Sequence, residues 1–128
     1  MKRTILIVDD EPVLREILRD YFEAHDFKVF EAENGRQALQ VVQNKPIECV
    51  LSDIRMPKGS GIELAEKIHK MESPKPKLIL MTGYSDVSVD QAQKLGVIKV
   101  LNKPFEPAVL LQEVRKVLNL DPSRDLPE

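Results

Sequence analysis

The chain has 128 residues and a formal net charge of −2, with apolar side chains at 42% and charged ones at 31%. These values fit one globular domain of ordinary size and exclude a disordered or fibrous chain. The slight acidic balance argues against direct nucleic-acid binding, and no apolar run approaches the ~18 residues needed to span a bilayer.

In chain order, Met1-Lys2-Arg3-Thr4 leads into only four strongly apolar residues before two aspartates, too short a run for a signal peptide. Ile5-Leu6-Ile7-Val8 reads as a buried strand ending at Asp9-Asp10. Glu11-Pro12 opens a helix, because proline at a first helical position forfeits no hydrogen bond. Leu14, Ile17, Leu18, Tyr21 and Phe22 recur at helical spacing and predict its apolar stripe. Phe27 to Ala32 alternates in part and reads as a weaker strand near an edge. Asn34-Gly35 supplies a turn and cap before Ala38, Leu39 and Val42, a short helix ending before Lys45-Pro46.

Cys49-Val50-Leu51-Ser52 predicts a third strand running into Asp53. Cys49 is the chain's single cysteine, so no intramolecular disulfide can form. It reads as a small apolar side chain, and the expected compartment is the cytoplasm. A loop from Ile54 to Gly61 precedes a third helix carrying Ile62, Leu64, Ala65 and Ile68, ended by Ser73-Pro74-Lys75-Pro76. Leu78-Ile79-Leu80-Met81 runs into Thr82. Gly83-Tyr84-Ser85-Asp86 then leads to a polar helix with Val89, Ala92 and Leu95, capped by Gly96. Val97 to Asn102 runs into Lys103-Pro104-Phe105, and Pro107 opens a last helix with Leu110, Leu111, Val114, Val117 and Leu118. The folded domain is expected over residues 1–119. Residues 120–128, rich in proline and charge, are expected to be a flexible tail or the start of a linker.

Strand and helix alternate five times, which predicts an α/β, doubly wound (βα)5 three-layer sandwich with a parallel five-stranded sheet and right-handed crossovers. In such a sheet the polar residues that end the strands converge on one edge, where ligands bind. Neighbouring strands lie about 4.8 Å apart. If the first and third are adjacent, Asp9, Asp10 and Asp53 crowd three carboxylates together. Two unit charges ~4 Å apart repel by about 4 kcal/mol at an effective dielectric of about 20, so the cluster needs a cation or a proton. His25 and His69 fall in or just after helices, which leaves oxygen ligands and points to Mg2+ or Mn2+. Lys103 adds an ammonium and Thr82 a hydroxyl, both suited to a phosphoryl oxygen. Singly, each residue has a structural reading: Asp10 as a helix N-cap, Asp53 as a loop cap, Thr82 as a strand end, Lys103 as a solvated loop lysine. Their common edge favours phosphoryl transfer to a carboxylate.

Asp9-Asp10, Asp53-Ile54-Arg55-Met56-Pro57, Thr82-Gly83-Tyr84 and Lys103-Pro104-Phe105, in this order, resemble the receiver domain of two-component response regulators over residues 4–118. The resemblance implies a flavodoxin-like sheet of order 2-1-3-4-5. It implies Asp53 as phosphoacceptor, and Asp9, Asp10, Asp53 and the backbone carbonyl of Arg55 as metal ligands. It implies Thr82 as the switch hydroxyl and Lys103 as the phosphoryl-binding lysine before a cis Lys103-Pro104 bond. Gly83 would keep the site's entry open, and Gly61 resembles the turn glycine after the acceptor loop. Arg55 and Tyr84 flank the site where they would limit access of water. The switch position three residues before Lys103, usually aromatic in the family, is Val100, so an aromatic rotation cannot carry the signal.

The resemblance further implies a module that catalyses only its own phosphorylation and dephosphorylation. Its donor would be a sensor histidine kinase, a phosphotransfer protein or a small acyl phosphate. Its readout would be a downstream protein or an output domain, through the face near the fourth helix, fifth strand and fifth helix. The expected state is a monomer or weak dimer, without nucleic-acid or membrane binding. The alternative is a receiver-like docking module that never uses phosphate. An aspartyl phosphatase would carry a second aspartate two residues after the nucleophile, where this chain has Arg55.

Overall fold

The computed structural model describes residues 2–54, 56, 60–72, 74–82, 94, 97, 99–102 and 106–120, with 82 and 99–102 as backbone. Five strands, β1 (Arg3–Val8), β2 (Phe27–Ala32), β3 (Cys49–Asp53), β4 (Lys77–Thr82) and β5 (Lys99–Asn102), form one sheet of order β2-β1-β3-β4-β5. Every pairing is parallel. The described helices are α1 (Pro12–Ala24), α2 (Gly35–Asn44), α3 (Gly61–His69) and α4 (Pro107–Val117).

The strands read as unbroken apolar runs because both faces of the sheet are covered. Leu6, Val8, Val50, Leu78 and Leu80 face α2 and α3, where Ala38, Val42, Leu64, Ala65 and Ile68 complete one core. Alternate residues Ile5, Ile7, Cys49, Leu51, Ile79 and Met81 face α1 and α4, and Leu18, Phe22, Leu110, Leu111 and Val114 complete the other. These are the three layers expected from the alternation. β2 pairs only with β1, so the weakly patterned strand is an edge of the sheet.

Local chemistry sets the helix starts. Asn34 Oδ1 accepts the Gln37 N–H at 2.9 Å and Ser60 Oγ accepts the Glu63 N–H at 3.1 Å, the side-chain caps that free helix N-termini require. Pro12 and Pro107 occupy first-turn positions of α1 and α4. Asp26, with φ at 72°, takes the left-handed conformation that reverses the chain between α1 and β2.

Two expectations are corrected. Ile17 is 50% exposed rather than part of the buried stripe of α1. The sheet-facing line runs through Leu14, Leu18, Tyr21 and Phe22, and Ile17 stands on its flank. β5 begins at Lys99, where pairing with Ile79 starts, rather than at Val97. The helix expected around Val89 and Leu95 lies outside the described residues, as do its Gly96 cap and residues 121–128.

Candidate functional site

β1 and β3 are neighbours, with Val8 opposite Ser52, so Asp9 and Asp53 leave the sheet side by side. Ligand oxygens of Asp9, Asp10 and Asp53 all lie within 4.8 Å of one another. Asp9 is fully buried and Asp53 is 7% exposed, whereas Asp10 faces solvent. The cluster therefore has two carboxylates sunk into the sheet edge and one at its rim.

The turn carrying the acid pair is tied at each peptide. The Asp9 N–H donates to Ala32 O at 3.1 Å, extending the β1–β2 ladder by one rung. The Asp9 carbonyl accepts from Arg15 Nη1 at 2.6 Å, and Asp9 Oδ1 accepts the Glu11 N–H at 2.9 Å. The N-cap of α1 is Glu11, which makes no side-chain capping bond. Asp10 is thus not the helix cap that its position alone suggested, and it stands at the rim of the acid cluster instead.

Asp53 ends β3 opposite Met81, which puts Thr82 one position further along the neighbouring strand. Its backbone carbonyl accepts the Ser52 hydroxyl at 2.9 Å. Gly61 packs directly against that carbonyl: a Cβ there would stand 2.5 Å from Asp53 O and 3.0 Å from Ile54 Cα. Gly61 is the first residue of α3 rather than a turn residue, and close backbone approach is the reason it must be glycine. The Gly61 N–H donates to Ile54 O at 2.8 Å, locking the start of α3 to the end of β3.

Thr82 pairs with Asn102, the residue just before Lys103. The backbone of β4 and β5 therefore ends at the same edge of the sheet as the aspartates. Val100 lies within β5 opposite Leu80. Arg55, Gly83, Tyr84, Lys103 and Pro104 lie outside the described residues.

Three carboxylates with oxygen-only donors suit a hard divalent ion. Mg2+ binds oxygens at about 2.1 Å, so opposite ligands stand about 4.2 Å apart, a span of the same order as the 4.8 Å within which these oxygens lie. His25 caps α1, its Nδ1 2.8 Å from Tyr21 O, and His69 closes α3, so neither imidazole belongs to the cluster. Burial in the sheet raises the Cys49 thiol from 9.0 to about 12, with the charge of Glu48 adding to the shift, so the thiol stays neutral and inert.

One residue near the site escaped the sequence reading. Arg15 bonds the Asp9 carbonyl and, through Nε, Glu31 Oε1 at 3.3 Å. A cation close to a helix N-terminus opposes the helix dipole and calls for a partner. That anomaly was the available signal. Among the described residues, no helix is long and apolar enough to cross a membrane.

A family model described as the response regulator receiver domain matches residues 5–115. Sporulation initiation phosphotransferase F of Bacillus subtilis is 32% identical over 121 residues, covering 94% of this chain and 97% of that protein. The C4-dicarboxylate transport transcriptional regulatory protein DctD of Pseudomonas aeruginosa is 38% identical over 118 residues, 91% of this chain but only 25% of the regulator's own length. Response regulator protein TrrA of Thermotoga maritima, solved in complex with Mg2+–BeF, superposes with a TM-score of 0.80 at 34% identity, covering 90% of this chain and 98% of that one. These relatives lend no support to a docking module independent of phosphate. With a parallel sheet of order 2-1-3-4-5, three aspartates at its edge and a family match over most of its length, the chain belongs to the receiver domains of two-component response regulators.

Proposed function

We propose that this domain accepts a phosphoryl group on Asp53 and converts it into a conformational signal. The observation that carries the reading is the convergence of Asp9, Asp10 and Asp53 within 4.8 Å at the sheet edge, one strand from Thr82. An Asp53 carboxylate oxygen forms the new bond to phosphorus. The bond to the donor, a phosphohistidine nitrogen or an acyl phosphate oxygen, breaks, and the leaving group takes the electron pair. Asp9 and Asp10, with Asp53 and the Arg55 carbonyl, would hold Mg2+ or Mn2+. The bound ion would neutralise the charge of the phosphoryl oxygens and of the acid cluster. Thr82 and Lys103 donate to those oxygens from the neighbouring strand ends. Water later attacks phosphorus and frees Asp53, with Arg55 and Tyr84 screening its approach. Catalysis is confined to this self-modification.

Because Val100 replaces an aromatic switch residue, the signal passes through Thr82 and the segment after β4, a population shift rather than a product. The folded unit spans residues 1–119, with Leu120 still packed against the core at the end of α4, and the remainder of 120–128 forms a tail or linker. The domain acts in the cytoplasm as a monomer or weak dimer, with a histidine kinase or phosphotransfer protein upstream and an output domain or separate protein downstream. The name of the Bacillus relative and the Mg2+–BeF ligand of the Thermotoga structure support phosphoryl chemistry at such a site.

Beryllofluoride, a stand-in for the phosphoryl group, tests this reading. With Mg2+ present, it should shift the amide resonances of Asp53, Thr82 and residues 83–86 in the native protein and leave those of Asp53→Asn unchanged. Equal shifts in both proteins, or none in either, would contradict the assignment of Asp53.

A further inference from the structure

Three consecutive peptide planes cross the acid pair, and each is anchored by a hydrogen bond. The first is held by the Asp9 N–H on Ala32 O at 3.1 Å, and the third by the Glu11 N–H on Asp9 Oδ1 at 2.9 Å. The middle plane, which joins Asp9 to Asp10 and directs the Asp10 side chain, is held by Arg15 Nη1 on the Asp9 carbonyl at 2.6 Å. Arg15 is itself braced: its Nε donates to Glu31 Oε1 at 3.3 Å, and Arg19 Nη1 donates to Glu31 Oε2 at 3.3 Å. The Arg15 side chain is 18% exposed and that of Glu31 is 32% exposed, so the clamp on the Asp9 carbonyl is partly buried while its Glu31 brace lies at the surface.

We propose that Arg15, braced by Glu31, is a positioning residue that preorganises Asp9 and Asp10 to receive the divalent cation. The inference rests on the reading of these aspartates as metal ligands. Arg15 works through a backbone carbonyl, not as a ligand. Glu31 belongs to β2, so the edge strand fixes the geometry of a site built at the centre of the sheet. An ordinary surface ion pair would leave cation affinity alone, whereas a group orienting ligands changes it, by roughly tenfold or more in established cases.

Electrostatics alone predicts the opposite sign. Arg15 is a positive charge beside three carboxylates, so its removal should tighten cation binding if charge were its only contribution. The test is calorimetric titration of the whole chain with Mg2+ alone, comparing native protein, Arg15→Met, Arg15→Lys, Glu31→Gln and the double variant, with Asp53→Asn as control. Positioning predicts about tenfold weaker binding for Arg15→Met and partial recovery for Arg15→Lys, which keeps one donor without the fork. Glu31→Gln should weaken binding in the native background and change nothing further once Arg15 is Met. Equal or tighter binding by Arg15→Met overturns the proposal while leaving the metal site intact, provided Asp53→Asn loses affinity. If native protein itself shows no Mg2+ binding, the site reading and the clamp fall together. Should Arg15→Met fail to fold, Glu31→Gln decides: unchanged affinity there is equally fatal to the clamp.

Discussion

Gly61→Ala probes how α3 is seated against the end of β3, the strand that carries Asp53. The added Cβ would lie 2.5 Å from Asp53 O, 3.0 Å from Ile54 Cα and 3.1 Å from Leu80 Cδ2. Two of these three atoms are backbone at the end of β3, so a rotamer change cannot relieve the clash. The chain must move by about 0.5 Å to restore a contact near 3 Å, and overpacking of this kind costs roughly 1–3 kcal/mol. Alanine recovers up to about 1 kcal/mol of helix propensity over glycine, less in a first turn, so the clash wins. With a net loss of roughly 1–2 kcal/mol and about 3–5 °C per kcal/mol for a domain of this size, Tm should fall by roughly 3–10 °C. Urea unfolding followed by circular dichroism should show a lower midpoint with an unchanged slope. Because the displaced atom is the Asp53 carbonyl, Mg2+ affinity should drop as well. A variant as stable as the native protein would mean that helix propensity dominates and that α3 does not press on Asp53.

Three further predictions follow from local contacts. Asn34→Ala and Ser60→Ala each remove a side-chain cap and should each cost about 1 kcal/mol in chemical denaturation; additive losses are expected, because the caps serve different helices. Without metal, Asp10→Asn should raise Tm by relieving repulsion in the acid cluster, and Mg2+ should then stabilise it far less than the native protein; a stabilisation equal to native would contradict the metal assignment of Asp10. The Cys49 thiol, held at about 12 in the fold against 9.0 when free, should resist thiol reagents near neutral pH until the protein unfolds. Its contribution to stability is complete below about pH 9 and is lost as pH rises towards 12, so Cys49→Ala should flatten the alkaline limb of a pH–Tm profile.

The sheet and its edge were readable because buried parallel strands leave a simple trace: an apolar run that stops at a polar residue. Asp53 and Thr82 could therefore be assigned to one edge before any pairing was known, and the β3–β4 register sets them one position apart. Asn34 could be read as a cap for the same local reason. Contacts made by backbone atoms leave no such trace. The bond of Arg15 to the Asp9 carbonyl depends on how α1 leaves β1, and neither periodicity nor composition reports it. Gly61 looked like a turn glycine, since a sequence cannot distinguish a special φ from the close approach of another chain segment. Ile17 and Arg115 mark the limits of amphipathic reading: the isoleucine is half exposed on the flank of α1, and the arginine is 4% exposed in α4.

Phosphoryl acceptance by Asp53 is tested most directly by intact mass of the whole chain after incubation with acetyl phosphate or phosphoramidate and Mg2+. Asp53→Asn serves as control, with a parallel sample in chelator. A single phosphoryl adduct is expected on the native protein, absent from the variant and from the chelated sample. An adduct that persists in Asp53→Asn, or its absence with every donor, would contradict acceptance by Asp53.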